Sequence, residues 1–179
     1  MSKPTSSTDS SPFPSVRRVV TGHSSTAKAI ILDDSVLPFV YWEGTSGSAV
    51  HDVYRTHESP AILGTEINGE WVDEIKLNDA LVNPNGSAIR SIDMYPGMYV
   101  KPHRTWSIDH GIVVKGSVVI ELDDGERRVI NEGDVIVQRG TIHSWKNESS
   151  EWNRIFFVML GATPIEVKPG QKLEEVSAK

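Results

Sequence analysis

The sequence predicts an all-β protein, a small sandwich or barrel, and three observations support this fold class. Short runs rich in β-branched residues recur along the 179 residues, among them residues 117–122 (SVVIEL). Turn sequences such as Asp123-Asp124-Gly125 separate the runs, because Asp-Gly tolerates the positive φ angles of a tight hairpin. The sequence carries no long amphipathic helical pattern. Many short strands at regular spacing are typical of a sandwich or barrel.

Each predicted strand lies between turn signals. The predicted strands are residues 16–21, 27–32, 39–42, 51–55, 88–94, 108–115, 117–122, 126–130, 135–137 and 154–160. A polar GHSS segment separates the first two, and Gly116 separates two strands in the second half of the chain. Residues 74–81 could form a short helix, which the Asn83-Pro84-Asn85-Gly86 sequence would end.

Composition divides the chain into four parts. Residues 1–15 are rich in Ser, Thr and Pro, so we expect a disordered tail, since such a segment buries too little apolar surface to offset its ordering entropy. Residues 16–86 would supply N-terminal strands and loops that pack on a barrel. Residues 87–167 would form that barrel, and residues 168–179 a C-terminal tail.

Charge and composition exclude several classes of function. Lys and Arg number 18 against 24 Asp and Glu, and this net charge of −6 disfavours nucleic-acid binding because phosphate backbones repel an acidic surface. The absence of Cys excludes disulfides, zinc ribbons and thiol chemistry. The longest apolar runs are far shorter than the ~20 residues that span a bilayer, and the N-terminus lacks the apolar region of a signal peptide. We therefore expect a cytoplasmic protein that binds neither nucleic acid nor membrane, and scattered glycines predict no nucleotide cofactor.

Polar side chains recur at alternate positions in one segment of the second half. If residues 103–109 are extended, His103, Thr105, Ser107 and Asp109 share one face of a strand. An inward polar face is costly unless a partner satisfies it, and a metal ion or a polar substrate would do so. His143 follows another glycine-bounded turn and could approach from a second strand.

Two segments resemble the paired motifs of the cupin superfamily. The positions in register are Gly97, His103, Asp109 and Gly116 in the first segment and Gly133, Gly140, His143 and Asn147 in the second. Thr105 stands where the family has a second His, and Asp109 stands where it has Glu. The resemblance implies a double-stranded β-helix, the cupin jelly-roll barrel, with the earlier strands as an N-terminal addition.

The VRRVVTGH opening and the DVIVQRGTIHSWKN run are similar to small single-domain cupins, several of which lie beside fungal polyketide genes and are described as cupin oxidoreductases. This resemblance implies an oxidoreductase acting on a small phenolic or polyketide-like intermediate of secondary metabolism. It also implies that His103, Asp109 and His143 are catalytic and hold a divalent metal. Two His and one carboxylate suit Fe(II), which we favour, with Zn, Mn or Ni left open.

Further residues are candidates for the substrate pocket. They are Thr105, Ser107, Trp145, which shares the parity of His143, and Arg139, which could pair with a substrate carboxylate or be solvated. Two alternatives stay open: a non-redox cupin enzyme (decarboxylase, dehydratase or isomerase) and a non-catalytic small-molecule binder. In the latter, the three metal candidates would merely hydrogen-bond each other. Exposed sheet edges need covering, so we also expect a homodimer.

Overall fold

The computed structural model of the protein describes residues 11–39, 49–77 and 81–177. The strands in these residues are β1 Arg17–His23, β2 Ala29–Val36, β3 Ala49–Thr56, β4 Ser87–Met94, β5 Tyr99–His103, β6 Ser107–Lys115, β7 Ser117–Leu122, β8 Arg127–Asn131, β9 Val135–Arg139, β10 His143–Lys146, β11 Asn153–Gly161, β12 Glu166–Lys168 and β13 Gln171–Lys172. Two short 3-10 turns, Thr65–Ile67 and Glu74–Leu77, are the helical elements of the described residues. The all-β prediction is therefore confirmed.

Two antiparallel sheets form the body of the protein. One sheet has five strands in the order β3-β4-β11-β6-β9, and the other has four in the order β5-β10-β7-β8. Apolar side chains from the inner faces of both sheets make one core. Its most buried members include Met94, Val113 and Ile155 from the five-stranded sheet and Val118, Ile120 and Trp145 from the four-stranded sheet. Burial of both inner faces explains why one side of each sheet is apolar.

The N-terminal strands are placed in two different ways. β3 extends the five-stranded sheet by pairing with β4, so it covers an edge within the same chain. β1 and β2 pair with each other as a separate ribbon. Buried Arg18 ties this ribbon to the barrel, because it donates to Asp73 at 2.8 Å and to the Val53 carbonyl at 3.2 Å. The homodimer stays a prediction.

Two predictions concern segments that the structure describes in part. Only Phe39 of the predicted strand 39–42 belongs to the described residues. The short helix predicted for residues 74–81 is a single 3-10 turn, Glu74–Leu77, and residues 78–80 lie outside the described part. None of the helical segments described has the length and hydrophobicity needed to cross a membrane.

Both termini contact the barrel more than their composition predicts. Residues 1–10 lie outside the described residues, but residues 11–15 differ from the expected disordered tail: Arg154 donates to the Pro14 carbonyl at 2.9 Å and lies over the Phe13 ring. At the other end, Val176 forms a β-bridge with Arg104. These contacts join residues distant in sequence, so local composition does not reveal them.

Gly161 at the end of β11 is a point of close backbone approach. Its N–H donates to the Gly86 carbonyl at 2.9 Å, and a Cβ added here would collide with the backbone carbonyl oxygens of Asn83 and Pro84. The close approach holds the loop before β4 against the barrel.

We expect Gly161→Ala to lower the free energy of unfolding by about 2 kcal/mol, because rigid backbone must move to admit the methyl group. Urea unfolding followed by tryptophan fluorescence measures the change. Gly69→Ala is the matched control, since its added Cβ would lie 3.8 Å from the nearest atom, the Thr65 carbonyl oxygen. Equal stability of the two variants would contradict the close contact.

Candidate functional site

A cavity lies between the inner faces of the two sheets. It contains about 540 Å³ of space, part of it open to solvent. Its polar lining residues are Arg90, His103, Thr105, Asp109, Gln138 and His143. The remaining walls are apolar or aromatic and include Trp145, Phe157 and Met159. An apolar cavity with a few convergent polar groups is typical of a small-molecule site.

Two imidazoles face each other on the four-stranded sheet. His103 ends β5 and His143 begins β10, and the two residues are direct cross-strand neighbours. Their ring centroids are 4.3 Å apart, with the rings tilted by 60°. The Trp145 ring packs edge-on to His143 at 5.9 Å. Sheet register therefore brings together two residues that are forty positions apart in sequence.

Backbone carbonyls fix the tautomer of both imidazoles. Nδ1 of His103 lies 2.9 Å from the Lys101 carbonyl oxygen, and Nδ1 of His143 lies 2.9 Å from that of Thr141. A carbonyl oxygen only accepts, so each Nδ1 carries the proton and each neutral ring has its lone pair on Nε2. Both Nε2 atoms are thus prepared to bind a cation or to accept a proton.

Burial keeps both imidazoles neutral near pH 7. Burial, reinforced by the neighbouring His103, lowers the pKa of His143 to about 4. Burial likewise lowers the pKa of His103, although the Lys101 carbonyl and Asp109 oppose the shift. Each ring therefore retains its Nε2 lone pair at neutral pH.

Asp109 reaches the same cavity from the other sheet. It lies on β6, and burial raises the pKa of its carboxyl group while the Ser107 and Thr105 hydroxyls and His103 oppose the shift. Ser107 donates to Thr105 at 2.8 Å, and Thr105 Oγ1 lies 3.5 Å from Asp109 Oδ2. Its other oxygen, Oδ1, is buried and has no hydrogen-bond partner in the described part of the chain.

Gln138 is the cross-strand neighbour of Asp109, on β9. Its side chain is buried, and its Nε2 donor has no hydrogen-bond partner among the described residues. A buried donor and a buried acceptor thus lie on neighbouring strands at the cavity, each without a hydrogen-bond partner in the part of the chain that the structure describes. Since unsatisfied buried polar groups are costly, a polar ligand here would be stabilised by both.

The expected single strand over residues 103–109 is wrong. β5 ends at His103 and β6 begins at Ser107, and the three residues between them carry the chain from one sheet to the other. His103 and Asp109 therefore line opposite walls of the cavity instead of sharing the face of one strand. They converge because the sheets face each other.

Several known proteins are similar in sequence to this chain. No protein-family model matches the chain. The oryzines biosynthesis cluster protein J of Aspergillus oryzae is 32% identical over 166 residues, which cover 91% of the chain and 92% of that protein. The cupin-domain-containing oxidoreductase fogC of Aspergillus ruber is 32% identical over 175 residues, covering 93% and 84%. The chain belongs to the cupin superfamily.

The cupin fold is also found in a solved structure. The cupin domain of Schizosaccharomyces pombe Cnp3 superposes with a TM-score of 0.51 at 10% identity, over 81% of this chain and 87% of that one. At this identity the similarity shows the fold alone. The predicted double-stranded β-helix, the cupin jelly-roll barrel, is confirmed.

The metal-binding prediction for this cupin rests on the kind of donor present. Two Nε2 lone pairs and the unsatisfied Asp109 Oδ1 fit a divalent cation in donor type, and imidazoles held through Nδ1–H are typical of metal ligands. Within residues 11–39, 49–77 and 81–177, however, no three His, Asp or Glu side chains are close enough together to form a metal site. The three-ligand site stays a prediction.

The other predicted pocket residues have mixed outcomes. Thr105 and Trp145 line the cavity of this cupin as expected. Ser107 is buried but is not among the lining residues, and its hydroxyl donates to that of Thr105. Arg139 is exposed at the end of β9 and is not among the lining residues, since alternation turns its neighbour Gln138 inward instead.

Sequence reasoning missed two polar lining residues, Gln138 and Arg90. Both sit at inward positions of strands whose alternate residues are apolar: Ile136 precedes Gln138, and Ile92 follows Arg90. A polar residue at an inward position of an alternating strand was the available signal.

Proposed function

We propose that this cupin is an oxidoreductase that acts on a small phenolic or polyketide-like intermediate of secondary metabolism. Relatives named as cupin-domain-containing oxidoreductases and as biosynthesis cluster proteins support the class of reaction and its setting. The cavity supports a small organic substrate, because its walls are mostly apolar and its polar groups converge at defined places.

One observation supports the proposal most strongly: four polar side chains line this cavity together. They are those of His103, His143, Asp109 and Gln138. The Nε2 atoms of His103 and His143 present two lone pairs to the cavity, since both rings are neutral and carry their proton on Nδ1. Gln138 donates through Nε2 to a substrate oxygen, beside the open oxygen of Asp109. Trp145 and Phe157 pack against the apolar body of the substrate and exclude water.

In this proposal His103, His143 and Asp109 would hold a divalent ion, with Fe(II) favoured over Zn, Mn or Ni, which requires the three side chains to approach each other more closely than they do in this structure. When bound, this ion would supply redox and Lewis-acid chemistry next to the substrate. The Nδ1–H bonds to backbone carbonyls orient both rings for this role. The hydroxyl of Thr105, which accepts a hydrogen bond from Ser107, would help to orient the Asp109 carboxylate.

The metal proposal is tested by metal analysis of protein purified without chelators and reloaded with Fe(II) under anaerobic conditions. His103→Ala, Asp109→Ala and His143→Ala are each expected to lower the iron content per chain, because each removes one donor. His23→Ala is the control, since His23 lies on the β1–β2 ribbon. Iron content unchanged in all three variants would show that this ligand assignment is wrong.

Turnover is tested with the loaded protein, air and a panel of small hydroxylated aromatic compounds, with oxygen uptake and product mass as readouts. His143→Ala is expected to reduce turnover roughly 100-fold or more, because it removes one of the three proposed iron ligands. Product formation that continues without oxygen or any other electron acceptor would refute the oxidoreductase proposal. Binding of these compounds without any product would identify a non-catalytic binder.

A redox-neutral cupin enzyme, such as a decarboxylase, dehydratase or isomerase, is the second candidate. Burial raises the pKa of Asp109 and lowers the pKa of both imidazoles, so the proton affinities of the acid and the bases approach each other. Such groups exchange protons with a bound substrate without any electron transfer. Turnover at the same rate in anaerobic buffer would favour this candidate.

A further inference from the structure

Strand β9 is an open edge of the five-stranded sheet. Within the described part of the chain it pairs with β6 alone, at the end of the strand order. Alternate residues of an antiparallel strand direct their N–H and C=O groups away from the neighbouring strand, so β9 presents unpaired backbone groups along its outer side. The side chains of Val135 and Val137 are 58% and 49% exposed. An edge of this kind can pair with another strand.

The other edges of the two sheets have protective features that β9 lacks. The pairing of β3 with β4 is irregular, and β5 contains Lys101 and Pro102. β8 carries Arg127 and Arg128, which both form ion pairs. β9 keeps a regular register with β6 over its whole length and contains neither Lys nor Pro. Since charged residues, proline and bulges are the usual protection of sheet edges, β9 is the least protected edge of the two sheets.

The charges at the two ends of β9 are complementary. Asp134 is exposed directly before the strand, where its Oδ2 accepts the Asn131 N–H, and exposed Arg139 is the last residue of the strand. The residues between them are uncharged. When two identical strands pair antiparallel, the end of each strand lies beside the beginning of the other. This arrangement brings each Arg139 near Asp134 of a second copy, whereas a parallel arrangement would bring like charges together.

We propose that β9 is a dimerisation edge, at which two copies of this chain join their five-stranded sheets into one continuous antiparallel sheet. The two-fold axis passes beside Val137, so the two Val137 residues are direct neighbours and each Val135 lies opposite Arg139 of the second copy. Main-chain hydrogen bonds and the burial of the exposed valines stabilise the pair. Two such short strands bury less surface than a standard interface of about 1,600 Å², so the association depends on protein concentration.

Sedimentation analysis of the full chain over a roughly hundredfold range of concentration tests the association. The mean mass is expected to rise from the 19.8 kDa of one chain toward twice that value. Val137→Lys is expected to raise the dimer dissociation constant roughly tenfold or more, because two ammonium groups would face each other at the axis. Val129→Lys is the matched control and should associate like the unmodified protein, since Val129 is 58% exposed on β8. A mass of one chain at every concentration would overturn the proposal.

A cysteine cross-link tests the register. The chain contains no Cys, so an introduced thiol is the only one in its molecule. Directly opposed residues of antiparallel strands have Cα atoms about 4.5–5.5 Å apart, which lies within the range that a disulfide spans. Val137→Cys is therefore expected to form a covalent dimer under mild oxidation, roughly tenfold or more faster than Val129→Cys. Equal rates for the two variants would refute the pairing at Val137.

Stacking of the outer faces of two five-stranded sheets is the alternative dimer. Leu160 is 40% exposed on the outer face of β11, which β6 separates from β9. An edge-paired dimer keeps this position outside the contact, so Leu160→Lys is expected to change the dissociation constant less than about twofold. Dissociation caused by Leu160→Lys but not by Val137→Lys would refute the edge and identify the stacked arrangement.

Discussion

Replacing Asp93 by asparagine is expected to lower the free energy of unfolding by about 3–5 kcal/mol. Asp93 on β4 is fully buried and binds Arg154 of β11 through two bonds, Nε to Oδ1 at 2.6 Å and Nη2 to Oδ2 at 2.7 Å. It also accepts a hydrogen bond from the Ser11 hydroxyl. Removing the carboxylate charge leaves the Arg154 cation largely buried without its counter-ion. Urea denaturation at pH 7 gives the change.

Two further variants make this expectation specific. Asp34→Asn removes one partner of the bidentate Arg17–Asp34 pair on the exposed ribbon, and we expect little measurable change there because water screens that pair. The double variant Asp93→Asn/Arg154→Met should be more stable than Asp93→Asn alone, because it removes the orphaned charge. A single variant as stable as the unmodified protein would show that this pair contributes little.

Replacing Asn147 by alanine is expected to cost about 2–4 kcal/mol. Asn147 is fully buried, and its Nδ2 donates to the carbonyls of Met94 at 2.9 Å and Glu151 at 2.8 Å. Its Oδ1 accepts from the backbone and the hydroxyl of Ser149. Alanine would leave the buried Met94 carbonyl without its donor. Thermal and urea unfolding measure the effect.

Ser149→Ala and Asn131→Ala complete the Asn147 comparison. Ser149→Ala removes one of the donors to Asn147 Oδ1 and should cost less than Asn147→Ala. Asn131 is exposed on β8, and its replacement should change stability by less than about 0.5 kcal/mol. If Asn147→Ala were no less stable than Asn131→Ala, the role assigned to this side chain in the turn after β10 would be wrong.

The positions that match the two cupin motifs located the site more accurately than the strand predicted over residues 103–109 did. His103, Asp109 and His143 do line one cavity, but His103 and Asp109 reach it from two different sheets instead of from one strand. β5 was missed because it contains Pro102, and proline inside a run argues against a strand. Asn147 matched the second motif, and the structure shows it as the hydrogen-bonding centre of a turn.

The predicted direction of a side chain near a strand end depends on where the strand is taken to end. The predicted strand 135–137 stops two residues short of the end of β9 at Arg139. Alternation carried to that end would have turned Gln138 inward and Arg139 outward. The contacts of Arg154 with the N-terminal segment were equally hidden, because they join residues 140 positions apart in sequence.

The polar groups of the cavity are divided between two sheets. The imidazole pair belongs to adjacent strands of one sheet, whereas Asp109 and Arg90 belong to the sheet opposite. Movement of one sheet relative to the other would therefore change the distance between the two walls, while the hydrogen bonds within each sheet stay in place. A ligand that contacts both walls would hold the two sheets at a fixed distance. Its binding would therefore reduce the motion of the whole barrel.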